Sequence, residues 1–145
     1  MDIFTPEKRS FVMGRIRSKD SKPERVVRSL LHRMGFRFRI HVKKLPGQPD
    51  IVLPKWKCVI FVHGCFWHRH QECKSGTQVP SANREYWEDK FGRNVARDKR
   101  IWTELESMGW HVITVWECEV KKGNWESLRR GLFEEIVGDG LDYLE

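Results

Sequence analysis

The period of the apolar positions changes several times along the chain, and each change predicts an element. Val26, Val27, Leu30, Leu31 and Met34 recur at helical spacing behind Ser21-Lys22-Pro23-Glu24. That prefix spells a capping box: Ser21 accepts from first-turn amides, Glu24 reaches back, and Pro23 stands where amides lack partners. Gly35 follows where a left-handed cap would end the helix. Phe36-Arg37-Phe38-Arg39-Ile40-His41 then alternates strictly, predicting a half-exposed strand with its basic side outward. After the break at Leu45 to Pro49, Asp50 to Leu53 reads as a short strand. Cys58 to Val62 is apolar without alternation, as in a strand covered on both faces.

The second half repeats the logic. A long helix is predicted from about Arg84 to Met108 on the stripe Trp87, Phe91, Val95, Trp102 and Leu105. His111 to Trp116 reads as a buried strand that delivers Glu117-Cys118-Glu119 at its end. Asn124 can cap a last helix on Trp125, Leu128, Leu132, Phe133 and Ile136, stopped by Gly138. Helix, three strands, helix, strand, helix is an α/β order. A strand returning after a long helix belongs beside the central one, which brings Cys118 near Cys65. Asp98 falls on the apolar stripe, where a carboxylate is costly unless paired. It therefore wants an arginine or a site, and the flanking Arg97 and Arg100 favour a structural ion pair over catalysis. Cys58, inside the apolar run, reads as a small buried hydrophobe, and Glu24 as a helix cap.

Composition narrows the class. A chain of 145 residues is one domain by length, with 32% charged and 39% hydrophobic residues. No apolar run approaches the roughly 20 residues of a spanning helix, so no membrane association is expected. The start lacks the apolar stretch of a secretory signal. Its four cysteines therefore read as thiols or metal ligands in a cytoplasmic protein. Twenty-seven basic against twenty acidic residues favour a polyanionic partner. Residues 1–20, with Lys8, Arg9, Arg15, Arg17 and Lys19, read as a basic arm for a duplex ahead of a single domain at 21–145; a frayed terminus is the plain alternative.

The densest chemistry lies between His63 and Cys73, where three of six histidines and two of four cysteines share eleven residues. Cys65, His70 and Cys73 have the type and spacing of zinc ligands, and Cys118 is the candidate fourth. Four protein ligands close a site, so the zinc would shape the loop without activating water. Asp50 before one strand and histidines at the end of the next suit phosphodiester hydrolysis, with magnesium on Asp50 and a neutral histidine taking the proton. Taken alone, Asp50 is more simply read as the start of a strand.

The runs Leu45-Pro46-Gly47-Gln48-Pro49-Asp50, Cys58 to His68, Asn94-Val95-Ala96-Arg97-Asp98 and Val115-Trp116-Glu117-Cys118 resemble those of the very-short-patch repair DNA mismatch endonucleases. The likeness spans roughly Lys8 to Cys118. It implies a restriction-endonuclease-like core, a mixed central sheet flanked by helices, with a structural zinc site. The implied activity is a magnesium-dependent, strand-specific nick 5′ to the thymine of a T·G mismatch left by deamination of 5-methylcytosine. By the same resemblance Asp50 and the Val62 backbone carbonyl bind magnesium, His68 is the general base, and His63 and Glu24 support it. Cys65, His70, Cys73 and Cys118 match the zinc ligands. Phe66, Trp67 and Trp87 match aromatics that enter the base stack from the major groove, and Met13 one that inserts opposite them. Double-stranded DNA is then the substrate of a monomer in the bacterial cytoplasm, with mismatch-repair proteins as possible partners. The rival readings are a non-catalytic, zinc-stabilised DNA-binding module and a zinc hydrolase, for which four protein ligands are the wrong count.

Overall fold

The computed structural model describes residues 20–138, so Met13 and most of the basic arm lie outside the described residues. Helix α1 spans Lys22–Arg33, with Ser21 as N-cap accepting from the Glu24 amide at 3.4 Å. Glu24 completes the box one residue further out than expected, its Oε2 accepting from the Asp20 amide at 3.2 Å. Gly35 adopts φ +84°, and the amides of Gly35 and Phe36 turn back to the carbonyls of His32 and Leu31. That double return satisfies carbonyls which the helix end would leave open.

Strands β1 (Arg39–Ile40), β2 (Ile51–Leu53), β3 (Cys58–His63) and β4 (His111–Trp116) form one sheet in that order. The sheet is mixed: β1 with β2 and β2 with β3 are antiparallel, while β3 and β4 are parallel. Both faces are covered. Ile51, Leu53, Cys58, Ile60, Ile113 and Val115 pack with Val27 and Leu31 of α1 and with Leu132 and Ile136. Val52, Val59 and Phe61 point the opposite way onto Leu105, with Ile101 and Trp102 beside them. Burial on both faces is why β3 carries no polar alternation. Fully burying each large aliphatic side chain here contributes about 1.5–3 kcal/mol.

The predicted strand over 36–41 shrinks to Arg39–Ile40, both exposed. Phe36 is drawn into the core instead, edge-on to Trp56 with ring centroids 5.9 Å apart. His41, at φ +53°, bends the chain out of the strand. Beyond β3 come the single-turn helices α2 (Cys65–His68) and α3 (Lys74–Thr77), then the long α4 (Arg84–Ser107). After β4, α5 (Glu117–Lys121) leads to α6 (Trp125–Val137), capped by Asn124 and ended at Gly138. No helix among the described residues is long and apolar enough to cross a membrane.

Candidate active site

Strand register explains how residues far apart in sequence meet. His63 pairs with Trp116 at the shared end of β3 and β4, so the chain leaves both strands side by side, one into Cys65 and the other into Cys118. The one-turn helix α2 then sorts its side chains to two sides. Cys65 and His70 turn toward Cys118, while His63 and His68 turn toward β2 and α4.

On the first side the ligand atoms of Cys65, His70, Cys73 and Cys118 all lie within 4.8 Å of one another and can hold a metal ion. His70 Nδ1 is 3.8 Å from the Cys65 sulfur and 3.4 Å from that of Cys118. Its ring stacks on Trp116 at 4.3 Å, which fixes its plane. Gly76 is required by close approach: a Cβ there would fall 1.8 Å from the His70 carbonyl oxygen. Burial pushes the Cys65 thiol up to about 12, so without an ion it keeps its proton.

On the second side lies a cleft of about 620 Å³ lined by Glu24, Asp50, Val62, His63, His68 and Asp98 among others. The Val62 amide donates to Asp50 Oδ2 at 2.7 Å, locking that carboxyl at the mouth of β2. Because a strand residue's amide and carbonyl face the same neighbour, the Val62 carbonyl turns to the Asp50 side as well. Burial raises Asp50 to about 6, opposed by the Val62 amide and reinforced by the nearby Glu24 charge. His68 Nδ1 lies 2.7 Å from Asp98 Oδ2. A carboxylate only accepts, so Nδ1 is the donor, and a neutral His68 ring offers its lone pair at Nε2. His63 stacks face to face on His68 at 3.7 Å. Burial, and then the neighbouring His68, push it down to about 3, so it is neutral. Its Nδ1 is buried with no hydrogen-bond partner among the described residues.

Glu24 combines both of its candidate roles by position: it caps α1 and borders the cleft. Arg28 holds it at 3.1 Å and also reaches Asp20, which His41 contacts at 3.0 Å. The expectation for Asp98 needs correction. Its close partner is His68 and not Arg97 or Arg100, because α4 aims that stripe position at the α2 turn. Asp98 thus lines the cleft together with His68. The usable signal was a carboxylate in an apolar stripe.

Phe66, Trp67 and Trp87 form one aromatic cluster with Phe91 of α4. Phe66 meets Phe91 edge-on at 5.1 Å, and Lys90 lies 5.4 Å over the Trp67 ring. Asn94, buried on α4, donates to the Trp67 carbonyl at 3.1 Å. Polar clamps and edge-to-face or tilted rings together give this cluster a defined shape beside the cleft.

Against known proteins, the family model "DNA mismatch endonuclease Vsr" matches residues 1–75. The type II nicking enzyme V.XorIIP of Xanthomonas oryzae is 50% identical over 82% of this chain and 86% of its own length. The DNA mismatch endonuclease Vsr of Escherichia coli is 41% identical over 96% of this chain and 90% of its own. Among solved structures, the catalytic domain of the homing endonuclease I-Bth0305I superposes with a TM-score of 0.55. It is 23% identical over 81% of this chain and 96% of that one. That last likeness carries the restriction-endonuclease-like fold alone.

Proposed function

Since the chain belongs to the Vsr family of DNA mismatch endonucleases, we propose that it nicks one strand of duplex DNA 5′ to the thymine of a T·G mismatch, such as deamination of 5-methylcytosine produces. The ends left are a 5′-phosphate and a 3′-hydroxyl. The single observation that carries this reading is the convergence, in one cleft, of an amide-locked Asp50 and an oriented His68–Asp98 pair.

Asp50 Oδ1 and the Val62 carbonyl are the proposed magnesium ligands. The fit is chemical: a buried carboxyl raised by desolvation, with one oxygen already satisfied, gains most from a hard cation. When bound, magnesium there neutralises charge developing on the scissile phosphate and orients water. His68 Nε2 would take a proton from the attacking water as its oxygen bonds phosphorus and the P–O3′ bond breaks, the 3′-oxygen leaving to be protonated from solvent. Asp98 would hold the ring and balance the imidazolium charge. Neutral His63, stacked face to face on His68, is read as a support for that ring. Glu24 shapes the cleft from the start of α1.

Zinc is the proposed ion of the Cys65, His70, Cys73 and Cys118 cluster. Zinc–sulfur bonds of about 2.3 Å and zinc–nitrogen bonds of about 2.0–2.1 Å imply a tetrahedral edge of roughly 3.6 Å between the two atoms. The sulfur-to-Nδ1 distances of 3.4 and 3.8 Å straddle it. Phe66, Trp67 and Trp87 are read as the wedge that enters the stack, since a mismatched step costs less to unstack than a paired one. Residues 1–20, Met13 included, serve as the opposing arm of a monomer whose endonuclease domain is 21–145. We place the protein in the bacterial cytoplasm, with mismatch-repair proteins as possible partners.

The test is a duplex with a single T·G pair, incubated with and without magnesium, with the nick mapped on both strands. A nick 5′ to the thymine that requires magnesium is expected. Binding without cleavage in every sequence context would leave only a zinc-stabilised binding module.

A further inference from the structure

Arg69 closes α2 at φ +56°, a left-handed conformation for which glycine is the default. A long cation stands there instead, and its head group is engaged on several sides. Nη1 donates to the Phe66 carbonyl at 3.3 Å and to the Gln78 carbonyl at 2.7 Å. The guanidinium carbon sits 4.0 Å from the Phe91 ring centroid and 5.8 Å from that of Phe66. One planar group therefore ties the α2 turn to the segment after α3 while resting on α4.

The carbonyls of so short a helix have few partners within it. Here Cys65 O is taken by the His70 amide, Phe66 O by Arg69 and Trp67 O by Asn94. The two aromatic residues of the turn are thus pinned through their own backbones by two side chains. We propose that Arg69 is a positioning residue that holds Phe66 and Trp67 against α4 and thereby sets how strongly the enzyme prefers a mismatched step, a role that rests on the wedge assignment above. A preorganised wedge loses little rotamer and loop freedom on entering DNA. Lysine is a poor substitute, because its ammonium lacks the flat face that rests on Phe91 while Nη1 donates to both carbonyls.

The experiment compares Kd for a T·G duplex and its T·A counterpart at one salt concentration, with 2-aminopurine beside the mismatch reporting unstacking. Values are taken per zinc-loaded chain. In R69M and R69G the preference should fall about tenfold, or 1.4 kcal/mol. KM on the mismatched duplex should rise, kcat should change much less, and 2-aminopurine brightening should shrink; R69K should fall between. R69G matters because glycine suits the backbone without the guanidinium. Wild-type preference in R69G or R69M overturns the inference, and if both lose zinc, wild-type preference in R69K does so. W67A separates the two layers. If it keeps full preference, the wedge assignment itself fails; if it loses preference while R69G and R69M keep it, only the role of Arg69 fails.

Discussion

The loop from His63 to Cys73 feeds two clusters that share a turn and differ in kind. One gathers three sulfurs and an imidazole whose ligand atoms all lie within 4.8 Å of one another, close enough to hold a metal ion. The other gathers Asp50, His63, His68 and Asp98 around a cleft, with a buried nitrogen that has no partner among the described residues and a carboxyl raised by burial. Four protein ligands close a site to water, whereas an open set around a cleft is where a substrate and a hard ion gain most. The contrast predicts that damage to the first cluster shows as lost folding, and damage to the second as lost chemistry with folding kept or improved.

The largest effect should come from Cys118→Ser. A structural zinc site is worth about 10–16 kcal/mol in small peptides, and the zinc proposed here would join α5 to the α2 turn. We expect zinc bound per chain to fall well below one and the thermal midpoint to drop steeply, with nicking lost as a consequence. Elemental analysis beside a melting curve checks this. An unaltered melt with zinc absent would erase the distinction between the clusters.

Asp50→Asn should do the opposite to stability while removing catalysis. Nicking should fall by several powers of ten, since metal charge stabilisation is worth several kcal/mol. The Asp50 carboxyl is raised from 3.8 to about 6 by burial. Between those values the folded chain holds a proton that the unfolded chain has released, so stability falls as pH rises and the cost is complete above about pH 6. At 1.36 kcal/mol per unit that cost is up to about 3 kcal/mol. Without added magnesium, Asp50→Asn should therefore melt higher than wild type at pH 7–8, the gain vanishing below about pH 4. His63, lowered to about 3, acts with the opposite slope: its contribution is lost as pH falls below about 6.5. Only the difference between wild type and variant isolates Asp50. Magnesium should raise the melting point of wild type and leave the variant unmoved.

The closed cluster was easier to read in the sequence than the open one. Cys65, His70 and Cys73 declare themselves by local spacing, and the apolar run of β3 with the returning β4 suffices to bring Cys118 alongside. The buried faces of α1 and β3 were legible for a similar reason: period follows directly from which faces are covered. Phe36 to His41 was misjudged because tertiary demand for Phe36 beside Trp56 outweighs a local alternation. Asp98 is the instructive case. Its stripe position announced that it needed a partner, but His68 comes from a turn 30 residues earlier, and nothing local distinguishes it from the adjacent arginines.

That pair supplies the smallest and sharpest pair of tests. His68→Ala should lower nicking by about 10²–10⁴, the range of general acid–base catalysis, while binding of the mismatched duplex persists. Asp98→Asn should cost less, roughly 10–100-fold, because the amide oxygen can still accept from Nδ1 and only the charge is lost. If Asp98 acts solely through His68, the two losses do not add: Asp98→Asn placed in the His68→Ala background should leave the residual rate unchanged within about twofold. A further tenfold loss in the double variant would mean that Asp98 touches the reaction or the DNA by another route. The open cluster would then extend along α4 beyond the α2 turn, and its boundary with the zinc side would no longer run through that turn alone.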